Sequence, residues 1–180
     1  LELDPFSAIG LTNAAFIAYL AGDDAAAAER IERALEVNPD SVDALLVRGG
    51  LSEATGSLDS AIADYRAAVA RSSRYSMSLA QLGHALARRG DRAEAEEILA
   101  QLEGMRQSQY VSAIDCALIN LALGRIDVAF EWIEAALREK SGWLVYLKTD
   151  RRLKSLRDDP RYERLLLAVD LGNGQSMISP

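Results

Sequence analysis

The sequence predicts an all-α fold: an α-solenoid of antiparallel helix pairs with capping helices at its C-terminal end. Three observations predict it. Glycines recur every 34 residues, at Gly22, Gly56, Gly90 and Gly124. Alanine-rich stretches of helical periodicity fill the intervals, and no strand-like alternation persists. The period then fails near Trp143, where a capped amphipathic stretch follows.

Bulk properties bound the function classes. A chain of 180 residues fits one domain or one quasi-linear array. Hydrophobic residues make up 49% and charged residues 26%, the balance of an ordinary globular chain. The net charge of -7, from 20 Lys and Arg against 27 Asp and Glu, argues against broad binding to nucleic acid or to an anionic membrane, both of which call for a basic surface. A single cysteine, Cys116, excludes an intrachain disulfide. No apolar stretch approaches the ~18 residues that a bilayer requires. No signal peptide is visible, and the cytoplasm is the expected compartment. The chain starts at Leu1 rather than Met and reads as a fragment, so a targeting signal has room upstream.

Each repeat can be justified in order. The glycines sit in short polar breaks, "LAGDD", "ATGSL", "RRGDR" and "ALGRI". There they end one helix in a left-handed conformation that costs other residues energy. Five residues after each glycine comes alanine: Ala27, Ala61, Ala95 and Ala129. Seven further on stand Ala34, Ala68, Leu102 and Ala136, with Ile31, Tyr65, Leu99 and Ile133 between. Leu11, Leu45, Leu79 and Ala113 stand eleven residues before the glycines. Small residues on one face let two helix backbones approach closely, and the bulkier residue between them fills the adjoining space. Asp23 is a candidate cap after Gly22, and Asp91 with Glu94 a candidate capping box. The first helix of each pair is expected at about 8–21, 41–54, 75–89 and 109–122. The second is expected at about 24–37, 58–71, 92–104 and 126–139.

These residues resemble the tetratricopeptide repeat (TPR) family. The resemblance rests on the small residues Ala15, Gly49, Gly83 and Ala117, the turn glycines, the paired alanines, and Pro39 closing "RALEVNPD". It implies repeats at 8–41, 42–75, 76–109 and 110–143, with 1–7 the remnant of a preceding repeat. It also implies a right-handed superhelix with nearest-neighbour contacts. There are departures. Leu11, Leu45, Leu79 and Ala113 replace the family's frequent Trp, and Ala18, Ser52, Leu86 and Asn120 its frequent Tyr. Ser73, Gln107 and Ser141 stand where a closing Pro is usual.

After Trp143 the 34-residue register calls for a glycine at 158 and an alanine at 163, and the chain has Asp158 and Glu163. "GWLVYLK" predicts a short apolar helix or turn. Asp159 then offers an N-cap, Pro160 suits the first helical position, and Gly172 is the expected stop. Tyr162, Leu165, Leu166 and Val169 share one apolar face. Residues 144–172 are expected to cap the exposed end of the solenoid, and 173–180 to form a flexible tail. Between Lys140 and Arg164 there are eight basic and four interleaved acidic residues, too modest an excess for a nucleic-acid arm. This ending also resembles the tail of TPR regions in bacterial signalling proteins, through Trp143, Leu147, Asp150, Leu153, Leu156, Arg157, Asp159, Pro160, Arg161, Tyr162 and Leu165. Class III adenylate/guanylate cyclases, winged-helix activators and Ser/Thr kinases carry such tails. The resemblance implies the C-terminal region of a longer regulator.

Chemistry finds little footing. No glycine loop between strand and helix cradles a phosphate. Cys116 falls at an inward-facing position and His84 lies a full repeat away, so neither a nucleophile–base pair nor a zinc site is expected. No catalytic residue, cofactor or metal is assigned, and no enzyme is expected. The resemblance instead implies a concave groove lined by the first helices. The groove residues are Ile9, Thr12, Phe16 and Tyr19 in repeat one, Leu46 in repeat two, and Met77 and His84 in repeat three. Val111, Ile114, Leu118 and Leu121 complete it in repeat four. The set is largely apolar and lacks the Lys/Asn residues with which some family members clamp a terminal carboxylate. The expected partner is a protein or peptide segment, extended or helical. The alternatives are a homodimer formed through the groove or the N-terminal end, and a sensor for a small ligand or peptide that controls an upstream effector. The chain's own tail is a further candidate occupant.

Overall fold

The computed structural model describes residues 7–72 and 75–174. Eight α-helices form four antiparallel pairs: α1 (Ala8–Ala21) with α2 (Asp24–Val37), α3 (Val42–Ala54) with α4 (Leu58–Arg71), α5 (Tyr75–Arg89) with α6 (Arg92–Met105), and α7 (Ala113–Ala122) with α8 (Ile126–Arg138). Each pair packs on the next. Two 3-10 turns follow, at Gly142–Tyr146 and Arg151–Leu156, and then α9 (Pro160–Gly174).

The periodic residues build this stack. Gly22, Gly56, Gly90 and Gly124 all take positive φ, between 79° and 103°, which turns the chain from one helix into its partner. The alanines at the +5 and +12 positions are fully buried, and so are Ile31, Tyr65 and Ile133 between them. Gly49 is needed for contact rather than for φ: a Cβ there would stand 2.5 Å from Tyr65 Cε1. Caps follow the sequence in part. Ser7, Asp23 and Ser41 accept hydrogen bonds from the backbones of α1, α2 and α3. Asp91 does not cap α6; its carboxylate holds Arg89, and Glu94 pairs with Arg66 of the preceding repeat.

One helix starts later than the periodicity predicts. Residues 106–112 form turns and an extended segment, and α7 begins at Ala113 instead of near 109. The Arg106 guanidinium donates to the Val111 carbonyl and to Glu139. It holds the backbone away from a helical path. Val111 is therefore buried in the inter-repeat core rather than displayed on a helix face.

The C-terminal segment covers the end of the stack. Leu144, Leu147, Leu153, Leu156, Tyr162 and Leu165 form one cluster with Ile114, Leu118, Phe130 and Ile133 of the last pair. The Tyr162 hydroxyl donates to the Leu147 carbonyl at 2.5 Å. Asp159 accepts from the Arg161 backbone at the start of α9. Gly172 does not stop α9, which continues to Gly174, since an interior glycine weakens a helix without forcing it to end. The remnant expected before Ser7, apart from Ser7 itself, and the tail after Gly174 lie outside the described residues.

Candidate functional site

The segment between the last repeat and α9 does more than cover an end. Residues 142–157 form a strap that reaches back over the concave face. Tyr146 meets Phe16 of α1 edge-to-face, with ring centroids 5.7 Å apart. Arg151 binds Asp24 at the start of α2 and lies over the Tyr19 ring, 5.5 Å from its centroid. Arg152 donates to Gln81 of α5 at 2.6 Å and chelates Asp150.

Beneath the strap lies a buried polar network. Glu53 of α3 is 2% exposed. Its Oε1 stands 2.6 Å from His84 Nδ1, a short ion-pair approach that is not aligned as a hydrogen bond. The Tyr65 hydroxyl donates to its Oε2 at 3.2 Å, and Arg88 donates to both its carboxylate and its backbone carbonyl. Burial alone would raise the Glu53 pKa, but His84, Arg152 and Arg88 outweigh it and hold the carboxyl down at about 2. Asp150 is likewise lowered: burial opposes, and Arg152 wins. Burial and the Glu53 charge push Tyr65 well above the ordinary phenol value.

Two clefts flank this network. The first, about 610 Å³, opens between α1, α3, α5, the start of α7 and the strap. Ile9, Thr12, Phe16, Tyr19, Leu46 and Met77 line it, together with Tyr110, Asp115, Trp143 and Tyr146. The second, about 690 Å³, lies on the far side and is rich in cations: Arg88, Arg151, Arg152, Lys154 and Arg157. Four of these are committed within the fold, Arg88 to Glu53, Arg151 to Asp24, Arg152 to Asp150, and Arg157 to the Lys148 carbonyl. The basic stretch is thus largely a set of internal clamps.

The structure separates the groove residues read from the sequence. Those of repeat one, with Leu46 and Met77, share the first cleft. His84 is only 3% exposed and lines the second cleft, bound to Glu53 instead of standing free on the groove wall. Val111, Ile114 and Leu118 are buried, and Leu121 is packed against the end cluster. The strap and α9 pack over Ile114, Leu118 and Leu121, where a partner would meet them, and Val111 is enclosed between repeats. The groove floor is also less apolar than expected, because Glu53, Asp150 and Arg152 lie within it. Glu53 and His84 were legible as a pair. They stand at positions 12 and 9 of successive repeats, 31 residues apart, which puts them side by side on neighbouring first helices.

Reactive chemistry has little support. Cys116 is fully buried, and burial with nearby Asp115 pushes its thiol up to about 12, away from a nucleophilic thiolate. Among the described residues no group of three His, Cys, Asp or Glu side chains is placed to hold a metal ion. Nor is any helix among them long and apolar enough to cross a membrane.

Comparison with known proteins agrees with this geometry. A family model described as tetratricopeptide repeat matches residues 13–76 and 80–142. No curated protein matches in sequence. Among solved structures, one described as the functional characterization of Pseudomonas aeruginosa PilF superposes with a TM-score of 0.58 at 21% identity, covering 92% of this chain and 76% of that one. At that identity the likeness concerns the fold alone.

Proposed function

The chain belongs to the tetratricopeptide repeat family, and on that premise we propose that it is a noncatalytic interaction module whose first cleft takes a peptide or helical segment of a partner protein. The observation that carries this reading is the cleft's rim. Ile9, Met77 and Tyr110 line it and remain 76%, 40% and 69% exposed. Large apolar side chains gathered around one opening, with polar groups at its floor, are the usual composition of a binding site. The strap closes off the C-terminal part of the family's open groove, so the partner engages repeats one to three and the start of repeat four, where Tyr110 and Asp115 stand. Through the resemblance of its ending, the module is assigned to the C-terminal region of a bacterial regulatory protein.

The test is selection of peptides from a display library on the whole chain. Ile9→Asp and Met77→Glu alter exposed rim positions and should keep the helical circular dichroism. Loss of the selected peptides by both variants is expected. Undiminished binding to both, or no peptide selected above background, would falsify the reading.

A further inference from the structure

The first cleft contains a carboxylate that receives no side-chain hydrogen bond among the described residues. Asp115 stands in the first turn of α7 and faces the cleft. Among the described residues no side chain donates a hydrogen bond to it, and the two cations whose fields reach it are committed elsewhere. Arg152 chelates Asp150 and reaches Gln81. Arg106 holds the Val111 carbonyl and Glu139, and its guanidinium lies 5.1 Å from the Trp132 ring centroid. Burial therefore dominates, and the Asp115 carboxyl is pushed up to about 7. A site that desolvates a carboxylate and gives it only the fields of two cations paired elsewhere is costly, and a ligand that brings a cation into contact reduces the cost.

The walls around it suit the same ligand. Tyr110, Trp143 and Phe16 line the cleft, and aromatic faces attract cations. Asp43, Glu53 and Asp150 also line the cleft, against one lining cation, Arg152, and this balance disfavours an anion. The apolar rim can cover the methylene stem of a long basic side chain.

We propose that the cleft receives the ammonium or guanidinium of a lysine or arginine carried on the partner segment, paired with Asp115 and seated among the rings of Tyr110, Trp143 and Phe16. The inference rests on the reading of this cleft as a peptide site and adds the chemistry of its anchor. The net charge of -7 also steers a basic segment toward the chain.

Peptides selected on the whole chain are sequenced and resynthesised. A fixed Lys or Arg at one position is expected. Its replacement by norleucine or citrulline should weaken binding about tenfold or more, the worth of one partly buried charge pair. On Asp115→Asn the charged and neutral peptides should bind alike. Selected peptides with no fixed cation, or an equal loss on Asp115→Asn, overturn the anchor while leaving the peptide cleft standing. If no peptide is selected, N-acetyl-lysine methylamide and its norleucine analogue are compared by NMR. Shifts of the Trp143 indole by the lysine compound alone support the anchor. Shifts by both compounds, or by neither, overturn it.

Discussion

Arg151 reaches back over 127 residues of chain to hold both carboxylate oxygens of Asp24, one of them at 3.2 Å. The contact joins the strap to the opposite end of the stack, and the same guanidinium lies over Tyr19. Both partners are about one-third exposed, so solvent weakens the pair. A double-mutant cycle with Asp24→Ala and Arg151→Ala should give a coupling on the order of 1 kcal/mol by urea unfolding. Additive effects would mean that the strap does not couple the two ends.

Truncation after Arg157 removes α9 and leaves the strap intact. Tyr162 and Leu165, each 5% exposed, then no longer cover Phe130 and Ile133. Two large buried side chains are worth roughly 3–6 kcal/mol together. The truncated chain should unfold at lower urea and scatter light at concentrations where the whole chain does not. A truncated chain of equal stability and solubility would show that α9 is not a cap.

Gly49 and Gly83 occupy equivalent places in successive repeats and should respond differently to alanine. A Cβ at Gly49 meets three ring atoms of Tyr65, the nearest at 2.5 Å. That ring is fully buried, and its hydroxyl is bound to Glu53, so it has no room to retreat. A Cβ at Gly83 meets Ile119 Cδ1 at 2.8 Å and Ile98 Cγ2 at 2.9 Å; the Cδ1 end can turn about χ2, while the branched Cγ2 must shift with its own backbone. Gly49→Ala should cost on the order of 1–3 kcal/mol after its gain in helix propensity, and Gly83→Ala less. Thermal unfolding of the two variants checks the order. Equal destabilisation would contradict the distinction.

The contrast between legible and illegible features follows from distance along the chain. Helices α1 to α6 and α8 were readable because glycine, alanine and the residue between them recur at fixed offsets, and each offset states a local contact. The late start of α7 was not readable, because it depends on the Arg106 side chain reaching Val111 and Glu139. The apolar side of the strap could be foreseen, since a solenoid end must be covered. Its polar side could not. Where Arg151 and Arg152 land depends on how four stacked pairs curve, and no local spacing encodes that. His84 taken by its own position alone is expected on the groove wall; aligned with Glu53 by repeat position, it becomes half of a buried pair.

Glu53 and Asp115 lie on one concave face and should move stability in opposite directions with pH. Glu53 is held at about 2 in the fold, below the ~4.3 of an unfolded glutamate. Its contribution is complete above about pH 4.3 and is lost as pH falls toward 2, because the unfolded chain then binds the proton more readily. Asp115 is held at about 7, above the ~3.9 of an unfolded aspartate. Its contribution is present below about pH 3.9 and is lost as pH rises through 7, because the folded chain holds the proton more tightly. Urea unfolding at pH 3, 5 and 7.5 separates them. Glu53→Gln should be less stable than wild type at pH 7.5, by roughly 2–4 kcal/mol for a buried charge network deprived of its acid, and the gap should narrow toward pH 3. Asp115→Asn should gain on wild type between pH 5 and 7.5. A gap for Glu53→Gln that stays constant down to pH 3 would mean that the His84, Arg88 and Arg152 charges do not hold the Glu53 carboxyl down. Parallel curves for wild type and Asp115→Asn would mean that Asp115 is compensated already and needs no ligand cation.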